Sequence, residues 1–186
     1  MVELVTWAAE QAQVLLGPLG DRWAHTQGVA SRAREIAIVV DPVDRELLIA
    51  AAYMHDVGYA PELAAHGFHP LDGALWLREQ GLDRLASLVA HHSAARFEAE
   101  AHGLSDVLEL FDDEQSPVSD ALAYSDLTTG PRGDRVTVAE RLREIERRYG
   151  SDSLVARALN QASDRLFAMA ARTERRLGRR PVSTPG

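Results

Sequence analysis

Apolar residues recur every three or four positions along most of the chain, which is the spacing of amphipathic helices. The first such segment covers residues 3–16 and stops at Gly17-Pro18, and the second runs from residue 20 to residue 40. A third begins at Asp41-Pro42, where an acid can cap a helix and proline suits the first turn. The pattern predicts three successive helices, the third of which ends at His55-Asp56.

The same spacing continues towards the C-terminal region, interrupted by glycine, proline and capping hydroxyls. Abundant alanine and an aromatic content of 6% favour closely packed helices over a sheet. We therefore predict an all-α fold, in which a pair of C-terminal helices adds to a helical bundle. The remaining predicted helices cover residues 71–80, 82–92, 93–102, 105–111, 117–126, 137–149 and 153–177. Of these, the helix over residues 93–102 is expected to be exposed.

Seven histidines and no cysteine occur in the chain, so a metal ion would have to be held by nitrogen and oxygen ligands. His55-Asp56 ends an apolar run, where a charged group is costly to bury and needs a partner. That partner is either the neighbouring histidine or a metal. The doublet His91-His92 is hard to explain as core packing. Adjacent helical residues point about 100° apart, so the doublet could serve two ions better than one.

The order of these residues resembles the HD-domain metal-dependent phosphohydrolases, an all-helical superfamily named for its His-Asp doublet. The resemblance implies a single HD-domain bundle over residues 20–130. An N-terminal helix (1–19) would precede it, and C-terminal helices (131–177) and a disordered tail (178–186) would follow. The segment from His69 to His92 is similar to the two-metal branch that includes the HD-GYP phosphodiesterases. The residues that carry the resemblance are His25, His55, Asp56, His69, His91, His92 and Asp126.

By that resemblance these seven residues hold two divalent transition-metal ions, with Fe, Mn, Zn, Ni and Co as the candidates. One ion would be held by His25, His55, Asp56 and Asp126. The second would be held by His69, His91 and His92, with Asp56 bridging the two. The resemblance implies that a metal-activated water cleaves a phosphoester in a small phosphorylated substrate such as a nucleotide. It does not separate a phosphomonoesterase from a phosphodiesterase.

The chain also departs from the HD-GYP pattern. The GYP signature is missing, and Tyr59 stands where those enzymes usually carry a lysine. Tyr59 is therefore a candidate for protonating the leaving oxygen.

Two other functions remain open. One is an HD-type diiron oxygenase, whose usual ligand set is four histidines and two aspartates, and the other is a catalytically idle module that binds metal or nucleotide.

Substrate contacts are predicted on two elements. Arg22 lies three residues before His25, on the same helix face, and the resemblance implies that it contacts phosphate; the alternative is a surface salt bridge. The loop after Asp126 offers hydroxyls, glycine amides and an arginine, which suit phosphate oxygens; the alternative is an ordinary Gly-Pro turn. The catalytic candidates are Asp56, Arg22 and Tyr59, and the substrate-binding candidates are Arg22, Thr128, Thr129 and Arg132.

A net charge of −8 argues against a partner such as a nucleic-acid duplex, but metal ions and local arginines could still attract a phosphate. No apolar run reaches the ~18 residues of a membrane span. Glu3 and Glu10 interrupt the first apolar segment, which predicts no signal peptide and a cytoplasmic protein. The apolar stripe of the last helix is predicted to pack within the chain, with a homodimer seam as the alternative.

Overall fold

Ten α-helices form the fold of residues 3–93 and 95–178, which the computed structural model describes. The predicted all-α fold class is confirmed. In chain order the helices are α1 (Leu4–Leu16), α2 (Asp21–Ile36), α3 (Arg45–Met54), α4 (His69–Glu79), α5 (Asp83–Ala90), α6 (Ala95–His102), α7 (Ser105–Leu108), α8 (Pro117–Leu127), α9 (Val138–Tyr149) and α10 (Leu154–Arg176).

Polar side chains cap several of these helices. The Asp41 carboxylate accepts a hydrogen bond from the Val43 amide and opens a 3-10 turn that leads into α3. Ser116 and Thr137 each form a reciprocal capping box at the start of α8 and α9. Ser153 caps α10. These caps set the ends of the helices that carry or flank the histidine cluster.

Helix α5 ends at Ala90, so His91-His92 lies beyond the helix and not within it as predicted. The backbone leaves the helical conformation at His91, with φ −106° and ψ 11°. Two residues later, Ser93 has a φ of 53°, in the left-handed region that residues other than glycine seldom adopt. The two histidines are therefore not held at the angular spacing of a helix.

Helix α3 is enclosed by four other helices, α1, α2, α5 and α8. Its three consecutive alanines, Ala50, Ala51 and Ala52, are all fully buried. Since alanine is small, neighbouring helices can approach the α3 backbone from several directions. The helix thus delivers His55-Asp56 into the interior of the molecule.

The two C-terminal helices cover the bundle on one side, where α10 packs against α8, α6 and α9. The buried Asp120 carboxylate of α8 accepts hydrogen bonds from Arg172 and Arg176 of α10, at 2.6 to 2.8 Å. The expectation that residues 93–102 form an exposed helix is wrong for one face, since Ala95 and Ala99 of α6 are buried.

Within the described residues, no helix has both the length and the apolar character required to cross a bilayer. The predicted disordered tail (178–186) lies outside the described residues, apart from Gly178. The apolar residues of α10, including Ala162 and Leu166, belong to the same buried cluster as those of α3 and α8. That placement is the intramolecular packing predicted for the stripe.

Gly58 allows the turn after His55-Asp56 to contact the start of α4 directly. A Cβ atom at this position would lie 2.0 Å from the His69 carbonyl oxygen and 2.7 Å from the Gly73 amide nitrogen. Both of these are backbone atoms, which cannot rotate away as a side chain can. Only glycine therefore lets the two segments approach closely enough to bring Asp56 beside His69.

We expect Gly58→Ala to lower the free energy of unfolding by about 3 kcal/mol, because the methyl group would force α4 away from the turn. Gly17→Ala is the matched control, since nothing lies within 4 Å of its Cβ position and its φ is −50°. The control should change stability by less than about 1 kcal/mol. Urea denaturation of both variants checks this, and equal stabilities would contradict the role of Gly58.

Candidate metal centre

Six of the seven predicted ligands converge in the interior, although they come from five separate parts of the chain. Helix α2 provides one histidine, the end of α3 provides the His-Asp pair, and α4, the turn after α5, and α8 provide one residue each. His55 and Asp56 are only 1% and 3% exposed. The converging residues are His25, His55, Asp56, His69, His92 and Asp126.

Asp56 lies at the centre and belongs to two groups of potential ligand atoms. The first group is His25, His55 and Asp56, and the second is Asp56, His69 and His92; within each group the ligand atoms lie within 4.8 Å of one another. Asp56 Oδ2 is 3.4 Å from His55 Nε2, whereas Oδ1 is 3.5 Å from His69 Nε2. The two carboxylate oxygens therefore face different groups.

Asp126 adjoins the first group. Its Oδ1 lies 3.1 Å from His25 Nε2, and its Oδ2 accepts a hydrogen bond from the Ser93 hydroxyl at 2.5 Å. The unusual backbone conformation of Ser93 directs this hydroxyl towards Asp126. The carboxylate is thus held in one orientation from two sides.

Backbone carbonyls determine the tautomers of three of the histidines. Because a carbonyl oxygen can only accept, each Nδ1 must carry the proton, and each Nε2 then presents a lone pair. The three Nδ1 donors and their acceptors are His25 with Gly130 (3.0 Å), His55 with Ala52 (2.8 Å) and His92 with Val89 (2.6 Å).

These lone pairs fit a metal ion. The buried Nε2 of His55 has no hydrogen-bond partner in the described part of the chain, which is costly for a polar atom. With its Nδ1 donating to Gly130, His25 turns its Nε2 towards the carboxylate of Asp126, where 3.1 Å separates Nε2 from Oδ1. A cation would satisfy both. Imidazole nitrogen and carboxylate oxygen together suit divalent transition metals.

The electrostatics of the cluster maintain the protonation states that ligation requires. Burial alone would raise the pKa of Asp56, but charged neighbours, with the Arg22 guanidinium among them, outweigh this effect and hold its pKa well below the usual range. Burial is the main cause that lowers the pKa values of His55 and His69. A charged carboxylate beside neutral imidazoles is the ligand state that metals bind.

Arg22 and Tyr59 adjoin the centre and support Asp56. Arg22 Nη1 donates to Asp56 Oδ2 at 2.8 Å, and its guanidinium lies 3.8 Å from the centroid of the Tyr59 ring. On its other side, the Tyr59 ring stacks on His69 with centroids 4.0 Å apart. Burial and then the Asp56 carboxylate raise the pKa of Tyr59, so the phenol keeps its proton.

The structure does not bring His91 into the cluster. Its Nε2 lies 2.7 Å from the carbonyl oxygen of Phe111 and must donate a proton to it, so this nitrogen has no free lone pair. The chain turns out of α5 at His91, which sends the two neighbouring rings in different directions. His66 also lies outside the cluster, and its Nδ1 is 2.7 Å from Asp72 Oδ1.

The loop after Asp126, for which substrate contacts are predicted, uses its threonine hydroxyls within the chain. The hydroxyls of Thr128 and Thr129 donate to carbonyls four residues earlier in α8, at 2.6 and 2.8 Å. The side chain of Arg132 is 80% exposed and lies near Asp21. The reason is local: the hydroxyls complete the last turn of the helix. The contribution of this loop is the Gly130 carbonyl, which orients His25.

A pocket opens onto the cluster. The pocket is lined by Ser93, Glu98 and residues of α9 and of the start of α10. None of these residues was predicted from the sequence. The arginines of α9 that line the pocket cannot be told from their exposed neighbours by composition or spacing alone. The lining residues from the C-terminal helices are Arg141, Ile145, Arg148, Tyr149, Val155 and Leu159.

Comparison with known families agrees with this geometry. A family model described as "HD domain" matches residues 22–129, which is more than half of the chain. The matched segment contains all six clustered residues and ends before α9. No curated protein and no solved structure shows significant similarity to the chain.

We expect His92→Ala to weaken divalent metal binding by about 100-fold or more, because it removes one of the clustered nitrogen ligands. His91→Ala is the matched control and should bind metal as the wild type does, since its ring contacts Phe111 instead. Titration of the metal-free proteins with Mn²⁺ measures both affinities. Weaker metal binding in the His91 variant alone would mean that His91, and not His92, is the ligand.

Proposed function

Because the chain belongs to the HD-domain family, we propose that it is a metal-dependent phosphohydrolase that cleaves a phosphoester in a small substrate, a nucleotide or a related phosphate compound. The observation that carries the proposal is the placement of Asp56, whose two oxygens face two separate sets of histidines. We propose two ions, with Asp56 shared between them. His25, His55 and Asp126 would complete the first set, and His69 and His92 the second.

Divalent ions held by these residues would lower the pKa of a water molecule towards neutrality, which would make hydroxide available near neutral pH. The chain itself supplies orientation and charge. Arg22 stays protonated, because Asp56 and Tyr59 outweigh the effect of burial and raise its pKa. Its guanidinium lines the pocket and can offset negative charge on the phosphate oxygens during the reaction.

Tyr59 is our candidate for protonating the leaving oxygen. Its ring lines the pocket between Arg22 and His69, and its raised pKa keeps the phenolic proton in place at neutral pH. A phenol of high pKa is a weak acid, so it suits a leaving alkoxide better than a leaving group that departs readily as an anion. The ligand set admits Fe, Mn, Zn, Ni or Co, and Mn and Fe are the first metals to test.

One observation favours a second candidate function. Without His91, the clustered residues are four histidines and two aspartates, which is the usual ligand set of the HD-type diiron oxygenases. The arginines in the pocket favour the phosphohydrolase, because a phosphate needs cationic partners and a neutral organic substrate does not. A catalytically idle metal-binding or nucleotide-binding module is the third candidate.

With Mn²⁺ or Fe²⁺ bound, we expect the protein to hydrolyse at least one compound in a panel of phosphomonoesters and phosphodiesters. Elemental analysis should give about two equivalents of metal, falling towards one in His92→Ala. Asp56→Ala should lose both metal and activity. Arg22→Gln should lower kcat by about 100-fold, because it removes a cation at the reacting phosphate.

Arg132→Gln serves as the control for Arg22→Gln, since Arg132 is exposed and lies away from the pocket. Undiminished turnover in Asp56→Ala would disprove the central role of that residue. Oxygen consumption by an iron-loaded protein that hydrolyses no phosphoester would replace the proposed reaction with the oxygenase. Nucleotide binding without either reaction would identify the idle module.

A further inference from the structure

Helix α9 presents a mixed basic and apolar face to the pocket. Arg141, Ile145, Arg148 and Tyr149 all line it, and their spacing of four, seven and eight residues places them on one side of the helix. The helix lies beyond residue 129, where the family match ends. This wall is therefore a feature of the chain's own C-terminal region and is not part of the matched segment.

Arg141 is the most deeply placed of these residues, at 5% exposure. Its Nη1 pairs with Glu144, whereas its Nη2 is 3.9 Å from Asp126 Oδ1, which is too far for a hydrogen bond. Its Nε has no hydrogen-bond partner among residues 3–93 and 95–178. Because an unsatisfied buried donor is costly, this guanidinium can gain by donating a hydrogen bond to an additional acceptor.

The charges around the pocket indicate what kind of acceptor would bind. Glu144 lies between Arg141 and Arg148 and forms an ion pair with each of them, at 2.8 Å in the case of Arg148. It therefore holds the two guanidinium groups near each other. The carboxylates of Asp56 and Asp126 are committed to the candidate metal centre. Metal ions there would offset those negative charges, which leaves the arginines of the pocket to attract an anion.

We propose that Arg141 binds an oxygen of the substrate's phosphate group and determines the preference of the pocket for phosphate-type anions. The inference rests on the proposed function and deepens it by naming the residue that recognises the anion. Arg141 adjoins Asp126, so an oxygen bound there lies next to the first set of candidate ligands. Glu144 acts as a positioning residue, since it holds the Arg141 guanidinium without occupying all of its donors.

The test is calorimetric binding of inorganic phosphate to the Mn²⁺-loaded protein, with metal content measured on every sample. Arg141→Gln should weaken phosphate binding by about 10- to 100-fold, which is the effect of losing a charged hydrogen bond. The matched control is Arg132→Gln, which removes an equal charge from an exposed arginine and should change the affinity by less than about twofold. Equal affinity in Arg141→Gln and the wild type would overturn the inference.

Arg141→Lys keeps the test decisive if the glutamine variant does not fold. Lysine retains the charge but not the forked donor geometry, so phosphate affinity should fall between those of the wild type and Arg141→Gln. A purely structural arginine would alter the melting temperature of either variant and leave the phosphate affinity of the folded, metal-loaded protein unchanged. An unchanged affinity in Arg141→Lys would overturn the inference on its own.

Phosphate binding needs no turnover, so this test separates the role of Arg141 from the proposed reaction. If no phosphoester is hydrolysed but Arg141→Gln still weakens phosphate binding, the inference stands and the proposed reaction fails. If hydrolysis occurs and Arg141→Gln binds phosphate as the wild type does, the reaction stands and the inference fails. A metal-loaded wild-type protein that binds no phosphate would also overturn the inference.

Discussion

The burial of the Asp56 carboxylate is the constraint on which the rest of the site depends. Removing an ion from water costs several kcal/mol unless opposite charges and hydrogen-bond donors replace the solvent. At 3% exposure, Asp56 has one full positive charge beside it, that of Arg22, and imidazoles on both sides. The Ala52 and Val89 carbonyls turn the imidazoles of His55 and His92 so that their lone pairs face inward, an arrangement that a cation would stabilise.

Much of the fold could be predicted from the sequence, because the signals for helices and their caps are local. Ser116 and Thr137 directly precede α8 and α9 and cap them, and Asp41 caps the 3-10 turn that leads into α3. Six ligands could likewise be identified from residue type and order. The seventh, His91, could not be judged, because its direction depends on where α5 ends, and a chain leaves a helix for reasons that lie partly in its tertiary contacts.

The side chains that line the pocket were predicted less well, for a related reason. A Thr-Thr-Gly-Pro-Arg loop suits phosphate in composition, yet Thr128 and Thr129 complete the last turn of α8 instead. Conversely, Arg141 is one of several arginines in a polar helix, and only the packing of α9 against α8 brings it beside Asp126. Short-range patterns show what a side chain can do, and tertiary packing decides which of those side chains reach the site.

The placement of the arginines also resolves an apparent conflict between a chain of net charge −8 and an anionic substrate. At physiological ionic strength, charges separated by more than about 8 Å of solvent are largely screened. The surface charge therefore contributes little to the field within the pocket, where Arg22, Arg141 and any bound ions act over a few ångströms. Recognition of the proposed phosphate substrate would thus depend on cations placed inside the pocket wall, where α2 places Arg22 and α9 places Arg141 and Arg148.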